Sequence, residues 1–245
     1  MTKDEKIEKP EKTVGDGVHT VVKAGLSAIP IVGGPAAVLF NEVIVPPLAR
    51  RRDEWIESIA RGLKELEDKV KGFKIESLSV NETFTTSVMH ATQAAMRTHH
   101  KEKLEALRNS ILNSALPNSP EDNMQHLFLS LIDTSTTWHL KILGFFYHIK
   151  SYRPGAGLKP PYVHHTFLQQ VLIQRFPELQ DKSDVLSLLI RDLSSKGLLN
   201  LDARDTRHSK EGSSSTRAVC ITDLGRQFVS FITSPLSVGE LDKKM

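Results

Sequence analysis

Residues 24–48 read AGLSAIPIVGGPAAVLFNEVIVPPL, the most apolar run of this 245-residue chain, and Glu42 is its only charge. The Pro-Ile-Val-Gly-Gly-Pro break at 30–35 interrupts the run, because proline lacks a backbone donor and adjacent glycines permit a tight turn. Neither half reaches the roughly 20 apolar residues that a membrane-spanning helix needs. The run therefore predicts an apolar helical hairpin over residues 18–47, either buried in the protein or open to a bilayer.

The hairpin and the three arginines that follow it predict a surface that contacts a protein partner or a lipid bilayer. The arginines are suited to anionic headgroups and come directly after the apolar residues. The predicted contact residues are Ile29, Ile31, Val32, Val38, Leu39, Phe40, Arg50, Arg51 and Arg52. Glu42 and the half-length segments favour burial at rest. A cytoplasmic location, or one peripheral to the inner membrane, fits this pattern.

The composition is that of a soluble globular protein, 39% hydrophobic and 25% charged. A formal charge of +3, from 32 Lys and Arg against 29 Asp and Glu, does not demand a polyanionic partner. The single cysteine, Cys220, excludes an internal disulfide and a cysteine zinc site, and its pattern favours a buried, inert thiol in a strand. The charged residues 1–14 predict a disordered tail and carry no secretory signal.

Helical periodicity dominates the predicted helical domain, residues 15–133. Residues 48–72 predict a long amphipathic helix with apolar spacings of three and four. Its seam consists of Ile56, Ile59, Leu63, Leu66, Val70 and Phe73. This seam predicts that the helix packs against a partner element.

Two further helices complete the predicted helical domain. The capping-box pattern from Ser79 to Glu82 predicts a helix over 80–115, which either projects into solvent or bends at the polar stretch 97–103. Ser119 and Pro120 predict the start of a third helix. Its inward residues are expected to be Leu127, Leu131 and Ile132. Helices 48–72 and 80–115 predict association with a protein partner or a second copy.

Residues 134–233 change character and predict three helices, a strand, a long polar loop, a second strand and a last helix, with a tail at 234–245. This order is typical of a winged helix. The complete prediction is a mainly α protein, in which the N-terminal apolar hairpin and long antiparallel helices precede a small α+β winged-helix-like domain.

A winged helix suggests DNA binding, with helix 183–196 in the major groove and 202–216 as the wing. The candidate nucleic-acid contacts are Arg191, Arg204, Arg207, Lys210 and Arg217. The exposed set of that helix includes Asp184 and Asp192, however, whereas specific readers place Arg, Lys, Asn or Gln there. DNA binding is therefore the alternative, and docking onto a protein is favoured.

No catalytic pattern stands out in the sequence. Phosphate-loop, dinucleotide-binding and nucleophile-elbow motifs are missing, and the ten histidines form no zinc motif. We predict no enzymatic activity, no catalytic or metal-binding residue, no cofactor and no small-molecule substrate.

Several strings resemble uncharacterised bacterial proteins, some of which are grouped with the abortive-infection (Abi-alpha-like) proteins. They are IPIVGGP (29–35), RRDEW (51–55), TWHL (137–140) with Leu143, FPEL (176–179), Leu193 with GLL (197–199), and ITDLGRQF (221–228). The resemblance covers about residues 20–72 and 135–233, and none of its motifs is catalytic. It implies a bacterial, phage-defence setting and carries over no active site.

The resulting prediction is a non-enzymatic bacterial protein of abortive-infection type. Its helical region engages a partner or a membrane, and its winged helix is a docking or sensing module. The alternatives are a winged-helix DNA-binding regulator with a helical oligomerisation domain, and a soluble oligomeric scaffold.

Overall fold

The computed structural model describes residues 45–148, 163–164, 168–204 and 217–236. Helices dominate these ranges, and a small antiparallel sheet lies near the C-terminus. The mainly helical prediction is therefore confirmed. Residues 1–44 lie outside the described residues. They include the tail 1–14, all but the last three residues of the predicted hairpin 18–47, and the candidate membrane or partner contacts from Ile29 to Phe40.

The described residues form two compact units. The first unit holds residues 45–99, 107–129 and 234–236, and the second holds the other described residues up to 233. The division of the chain after residue 133 stays a prediction, although a helix break falls close to it, at 135–136.

Four helices build the first unit around the seam seen in the sequence. They are α1 (Val45–Lys69), α2 (Glu82–Met96), the later part of α3 (Lys101–Ser114) and the first part of α4 (Asp122–Thr134), with a 3₁₀ helix at Ile75–Val80. Helix α1 begins three residues before the predicted start. Pro46 and Pro47 fall in its first turn, where the missing N–H groups would have no partner inside the helix.

The seam of α1 is covered by the chain itself. All its residues are buried except Val70, which is half-buried. Trp55 Nε1 donates to Thr92 Oγ1 of α2 at 3.0 Å. A Cβ built on Gly62 would lie 2.7 Å from Arg108 Nη2 and 2.9 Å from Leu112 Cδ1, so α1 and α3 pack closely at this glycine. Any association through helix 48–72 therefore has to use another face.

The predicted helix over 80–115 consists of two helices. Helix α2 ends at Met96 and α3 begins at Lys101, so the break falls in the polar stretch. Residues 97–100 are Arg, Thr, His and His, which include weak helix formers and no aliphatic side chain.

The capping-box prediction at Ser79 is wrong. Ser79 lies inside the 3₁₀ helix, and its Oγ donates to Glu76 O at 2.7 Å. Asn81 is the N-cap of α2, and its Oδ1 accepts a hydrogen bond from Phe84 N at 2.9 Å. The buried Leu78 belongs to the 3₁₀ turn and keeps the chain coiled past Ser79, so the extended backbone required of a cap first occurs at Asn81.

The start of α4 differs from the prediction, and so does one of its three predicted inward residues, whereas Leu131 and Ile132 are buried as predicted. The helix begins at Asp122, which leaves Ser119 and Pro120 before its first turn. Leu127 is 42% exposed, whereas Phe128 and Ile132 are fully buried. Gln125 shares their face and accepts a hydrogen bond from Ser87 Oγ of α2 at 3.0 Å, so the buried stripe passes beside Leu127.

The second unit contains the remaining elements and its own core. They are α5 (Thr137–His148), β1 (Val163–His164), α6 (Leu168–Arg175), a 3₁₀ helix at Pro177–Leu179, α7 (Ser183–Ser195), β2 (Leu199–Arg204), β3 (Arg217–Ile221) and α8 (Asp223–Ile232). Helix α5 contacts α7, α8 and β3. Phe146 of α5 and Phe228 of α8 are among the most buried side chains.

The sheet has β3 at its centre, with β1 and β2 antiparallel on either side. Asn200 faces Cys220 and Ala203 faces Ala218, so β2 contains one residue more than β3 over this interval, as in a β-bulge. Strand β2 continues to Arg204 and so includes the first three residues of the predicted wing 202–216. Cys220 lies in the predicted strand but is half-buried, and burial raises the pKa of its thiol.

Gly197 ends α7 as the sequence predicts. Its φ of +73° is left-handed, and Leu198 N donates to Leu193 O at 2.9 Å, the bond of a Schellman cap. Thr222 joins this end of α7 to the start of α8, because its hydroxyl donates to Gly197 O at 2.6 Å and accepts from Gly225 N at 2.9 Å.

Candidate interaction surfaces

The outward face of α7 carries two large apolar side chains. Val185 is 43% exposed and Leu188 is 59% exposed. They lie three residues apart, so they share one face of the helix. The opposite face supplies the core through Leu186, Leu189, Ile190 and Leu193. Helix α7 is therefore anchored from inside while it offers an aliphatic patch to the outside.

The N-terminal end of α7 is acidic. Glu178, Asp181 and Asp184 are all exposed there, and Lys182 is the cation among them. Carboxylates near a helix N-terminus are favoured by the helix dipole, which explains Asp184. The same charges disfavour a phosphate backbone at the end of the helix that a DNA reader inserts into the major groove.

The residues proposed for nucleic-acid contact fall into two places. Arg191 is exposed on α7, where its Nε donates to Ser187 O at 3.4 Å. Arg204 and Arg217 are register partners at one end of the β2–β3 ribbon. Arg207 and Lys210 lie outside the described residues. The ribbon therefore brings together two of the five positions, and α7 holds a third.

The three arginines after the predicted hairpin make contacts near the start of α1. Arg51 Nη1 donates to Met96 O, at the end of α2, at 3.1 Å. Arg50 Nε lies 3.7 Å from Glu54 Oε1, and Arg52 Nη2 lies 2.9 Å from Asp53 Oδ1. Arg51 thus provides a positive charge where the α2 dipole is negative, a structural role that needs no lipid.

His139 is a buried polar site that the sequence pattern did not reveal. Its Nδ1 accepts a hydrogen bond from Thr136 N at 3.0 Å. The proton of a neutral ring is then on Nε2, which lies 2.9 Å from Asp192 Oδ2 of α7. The carboxylate lies off the N–H direction, so no well-directed hydrogen bond forms there. Lys196 Nζ lies 2.7 Å from the same oxygen.

The electrostatics of this cluster keep His139 neutral. Burial lowers the pKa of His139, and the charge of Lys196 lowers it further, while Asp192 acts in the opposite direction. Thr136 Oγ1 also lies 2.9 Å from Nδ1. The single lone pair of Nδ1 already accepts the backbone N–H, so it is not available to take a hydroxyl proton. The geometry thus fits helix capping better than activation of a nucleophile.

Among the described residues, no three His, Cys, Asp or Glu side chains come together as a metal site. No helix in the described ranges is long and apolar enough to cross a membrane. Comparison with protein-family models, curated proteins and solved structures found no match.

Proposed function

We propose that residues 134–233 form a winged-helix-like domain that docks onto a protein through the outward face of α7. The whole chain is then a non-enzymatic bacterial factor of abortive-infection type. The exposed aliphatic pair of Val185 and Leu188 carries this proposal.

The order of elements supports the winged-helix interpretation. Helix α5 is followed by β1, α6, α7, β2, β3 and α8, and the strands lie in the order β1-β3-β2. In this arrangement α7 takes the place of the recognition helix, and the chain between Arg204 and Arg217 takes the place of the wing.

The chemistry of α7 supports a protein as the partner. Desolvating Val185 and Leu188 against an apolar surface is favourable, whereas the hydrated phosphates of a duplex offer no such surface. Exposed Asp181 and Asp184 would repel those phosphates. A partner with an aliphatic centre and a basic residue near the N-terminus of α7 complements this face.

The resemblance described above supports the phage-defence setting, and the membrane or partner role of the helical region stays a prediction. DNA binding remains the alternative because Arg204 and Arg217 are neighbours in the ribbon. Self-association through an outer face of the helical region is the third outcome to be distinguished.

Site-specific photo-crosslinking in bacteria tests the proposal. Full-length protein carries a benzophenone amino acid in place of Leu188, and the adducts are identified by mass spectrometry after irradiation. We expect one protein adduct that Val185→Glu abolishes, since a carboxylate in the aliphatic patch would have to be desolvated. Ser130→Glu, at an exposed position of α4, is the matched control and should keep the adduct.

The alternatives give different results. A nuclease-sensitive adduct would overturn the proposal in favour of DNA binding. So would binding to duplex DNA whose affinity falls steeply between about 50 and about 200 mM salt and is weaker in an Arg204→Gln, Arg217→Gln double variant. An adduct to a second copy, together with a dimer mass in solution, would indicate a scaffold. A protein adduct that survives Val185→Glu would show that the patch is not the contact.

A further inference from the structure

An open groove lies in the second unit, and none of the described residues that line it belongs to α7. Its volume is about 740 Å³, within the range of ligand-binding clefts. One wall is α5, through Trp138, Lys141, Gly144 and Phe145, and the other is the end of α6 with the following turn, through Arg175 and Phe176.

Aromatic rings form its floor. Phe176 is buried and meets Trp138 edge to face, with ring centroids 5.9 Å apart. The Phe145 ring lies 6.4 Å from Phe176 in a similar orientation. Trp138 and Phe145 are half-buried, so parts of both rings remain open to a ligand. Partly exposed, rigid aromatic groups are the usual anchors of peptide contacts.

Two cationic side chains, Lys141 and Arg175, lie at the edge of this groove. Lys141 Nζ lies 5.1 Å from the centroid of the Trp138 ring and 3.0 Å from Glu102 Oε1. The Arg175 guanidinium lies 5.5 Å from the centroid of Phe176, and no carboxylate of the described residues lies within ion-pair distance of it. Glu178 is the opposing charge of the lining. Arg175 is therefore held over an aromatic ring and is available for an incoming carboxylate.

Gly144 is the feature that points to an occupant. It lies within α5, where glycine is less favourable than alanine by roughly 1 kcal/mol. A Cβ built on it meets none of the described atoms within 4 Å, and its φ is not among the left-handed ones. Neither backbone conformation nor packing in the described part of the chain requires glycine there. Its effect is to leave the groove wide between α5 and the end of α6.

We infer that this groove binds an acidic peptide segment carrying an aromatic or large aliphatic anchor residue. The anchor lies on Trp138, Phe145 and Phe176, and a neighbouring Asp or Glu pairs with Arg175. Arg175 is the cation that favours an acidic partner, because Lys141 is already paired with Glu102. An open groove with an apolar floor and a polar rim suits a chain that continues past its edge.

Peptide selection on the full-length protein tests this inference. A library of random dodecapeptides is enriched on the wild type and, in parallel, on Gly144→Phe, whose added ring fills the groove. We expect the wild type alone to enrich peptides with a large apolar residue next to Asp or Glu. The affinity of the selected peptides, measured by fluorescence polarisation, should fall at least about tenfold in Gly144→Phe and in Arg175→Glu.

The controls separate the groove from general effects. Gly144→Ala, which adds a single carbon, should lose less affinity than Gly144→Phe, and Arg175→Lys, which keeps the charge, should lose less than Arg175→Glu. Val185→Glu on α7 should bind the selected peptides as the wild type does, so a failed groove and a failed α7 surface remain distinguishable. Equal enrichment on Gly144→Phe, selected peptides without acids, or no enrichment at all would overturn the inference.

Discussion

His139 occupies the third position of α5, where a Glu or Gln side chain usually reaches back to the N-cap N–H. Its Nδ1 accepts the backbone N–H of Thr136 instead. An imidazolium has no acceptor nitrogen, so protonation removes the cap in addition to placing a charge in a buried site. The groups that face the ring are Asp192 and Lys196 of α7, with Lys103 of α3 nearby.

Stability should therefore depend on pH through His139. Its pKa in the folded protein is lowered from 6.5, so the unfolded chain binds more protons as the pH falls below that value. The contribution of neutral His139 is complete above pH 6.5 and is lost as the pH falls through the lowered pKa. Gln at this position keeps an acceptor but does not titrate.

Urea unfolding of the wild type and His139→Gln, followed by circular dichroism between about pH 5 and about pH 8, measures this dependence. We expect the free energy of unfolding to fall more steeply toward low pH in the wild type than in the variant. Parallel pH profiles would contradict the assignment, since the remaining histidines titrate in both proteins.

Two helix glycines should respond oppositely to the same substitution. A Cβ at Gly225 would lie 2.4 Å from Leu198 O and 2.8 Å from Ile221 Cγ1, so backbone must move to admit it. Gly225→Ala should lower the free energy of unfolding by about 1–3 kcal/mol. Gly144→Ala, which meets no described atom within 4 Å, should be neutral or stabilising. Thermal unfolding of the pair checks both, and equal melting temperatures would refute the close approach.

At the scale of the element, Asn81 and Ser79 compete for the cap of α2. Asn81→Ala removes the side-chain acceptor of Phe84 N and should cost about 1 kcal/mol of stability. Ser79→Ala removes only an exposed bond to Glu76 O and should change the stability by less than about 0.5 kcal/mol. Denaturant midpoints of the two variants test this, and a larger loss of stability for Ser79→Ala would support the capping-box prediction.

Much of this element-scale structure could be predicted from the sequence. The α1 seam follows from helical periodicity, and the end of α7 before Gly197 agrees with the predicted helix 183–196. The misplaced cap and the exposed Leu127 could not, because a 3₁₀ turn ahead of α2 and the buried Gln125 are set by tertiary contacts. Ser79 and Asn81 are both residue types that cap helices, and only the packed turn before α2 shows that Asn81 is the cap.

The candidate surfaces show the same limit. The sequence shows the acidic residues of α7 and its apolar composition. Which two aliphatic residues face outward depends on which side of α7 packs against α5. His139 lies among apolar neighbours, and its partner Asp192 is 53 positions away in the numbering of the chain. Spacing rules cannot pair residues that distant. The groove of Trp138 and Phe176 likewise exists only once the chain has folded.

At the scale of the whole molecule, helices α3 and α4 each contribute residues to both compact units. Because helix formation is cooperative along one helix, melting of α3 or α4 affects the residues that it contributes to each unit, so we expect a single cooperative transition. The two tryptophans report separately, since Trp55 belongs to the first unit and Trp138 to the second. Urea midpoints of Trp55→Phe and Trp138→Phe, each followed by its remaining indole and by circular dichroism, should coincide within each variant. A biphasic transition would show that the units unfold independently.

The hydroxyl of Thr222 donates to the carbonyl oxygen of Gly197, which is 25 residues earlier in the chain. This bond joins the end of α7 to the start of α8. The geometry of those two helices is thus insulated from the length of the β2–β3 connection. The closure entropy of a loop grows slowly with its length, by only about 0.6 kcal/mol for each doubling. Insertions between Arg204 and Arg217 should therefore cost little stability.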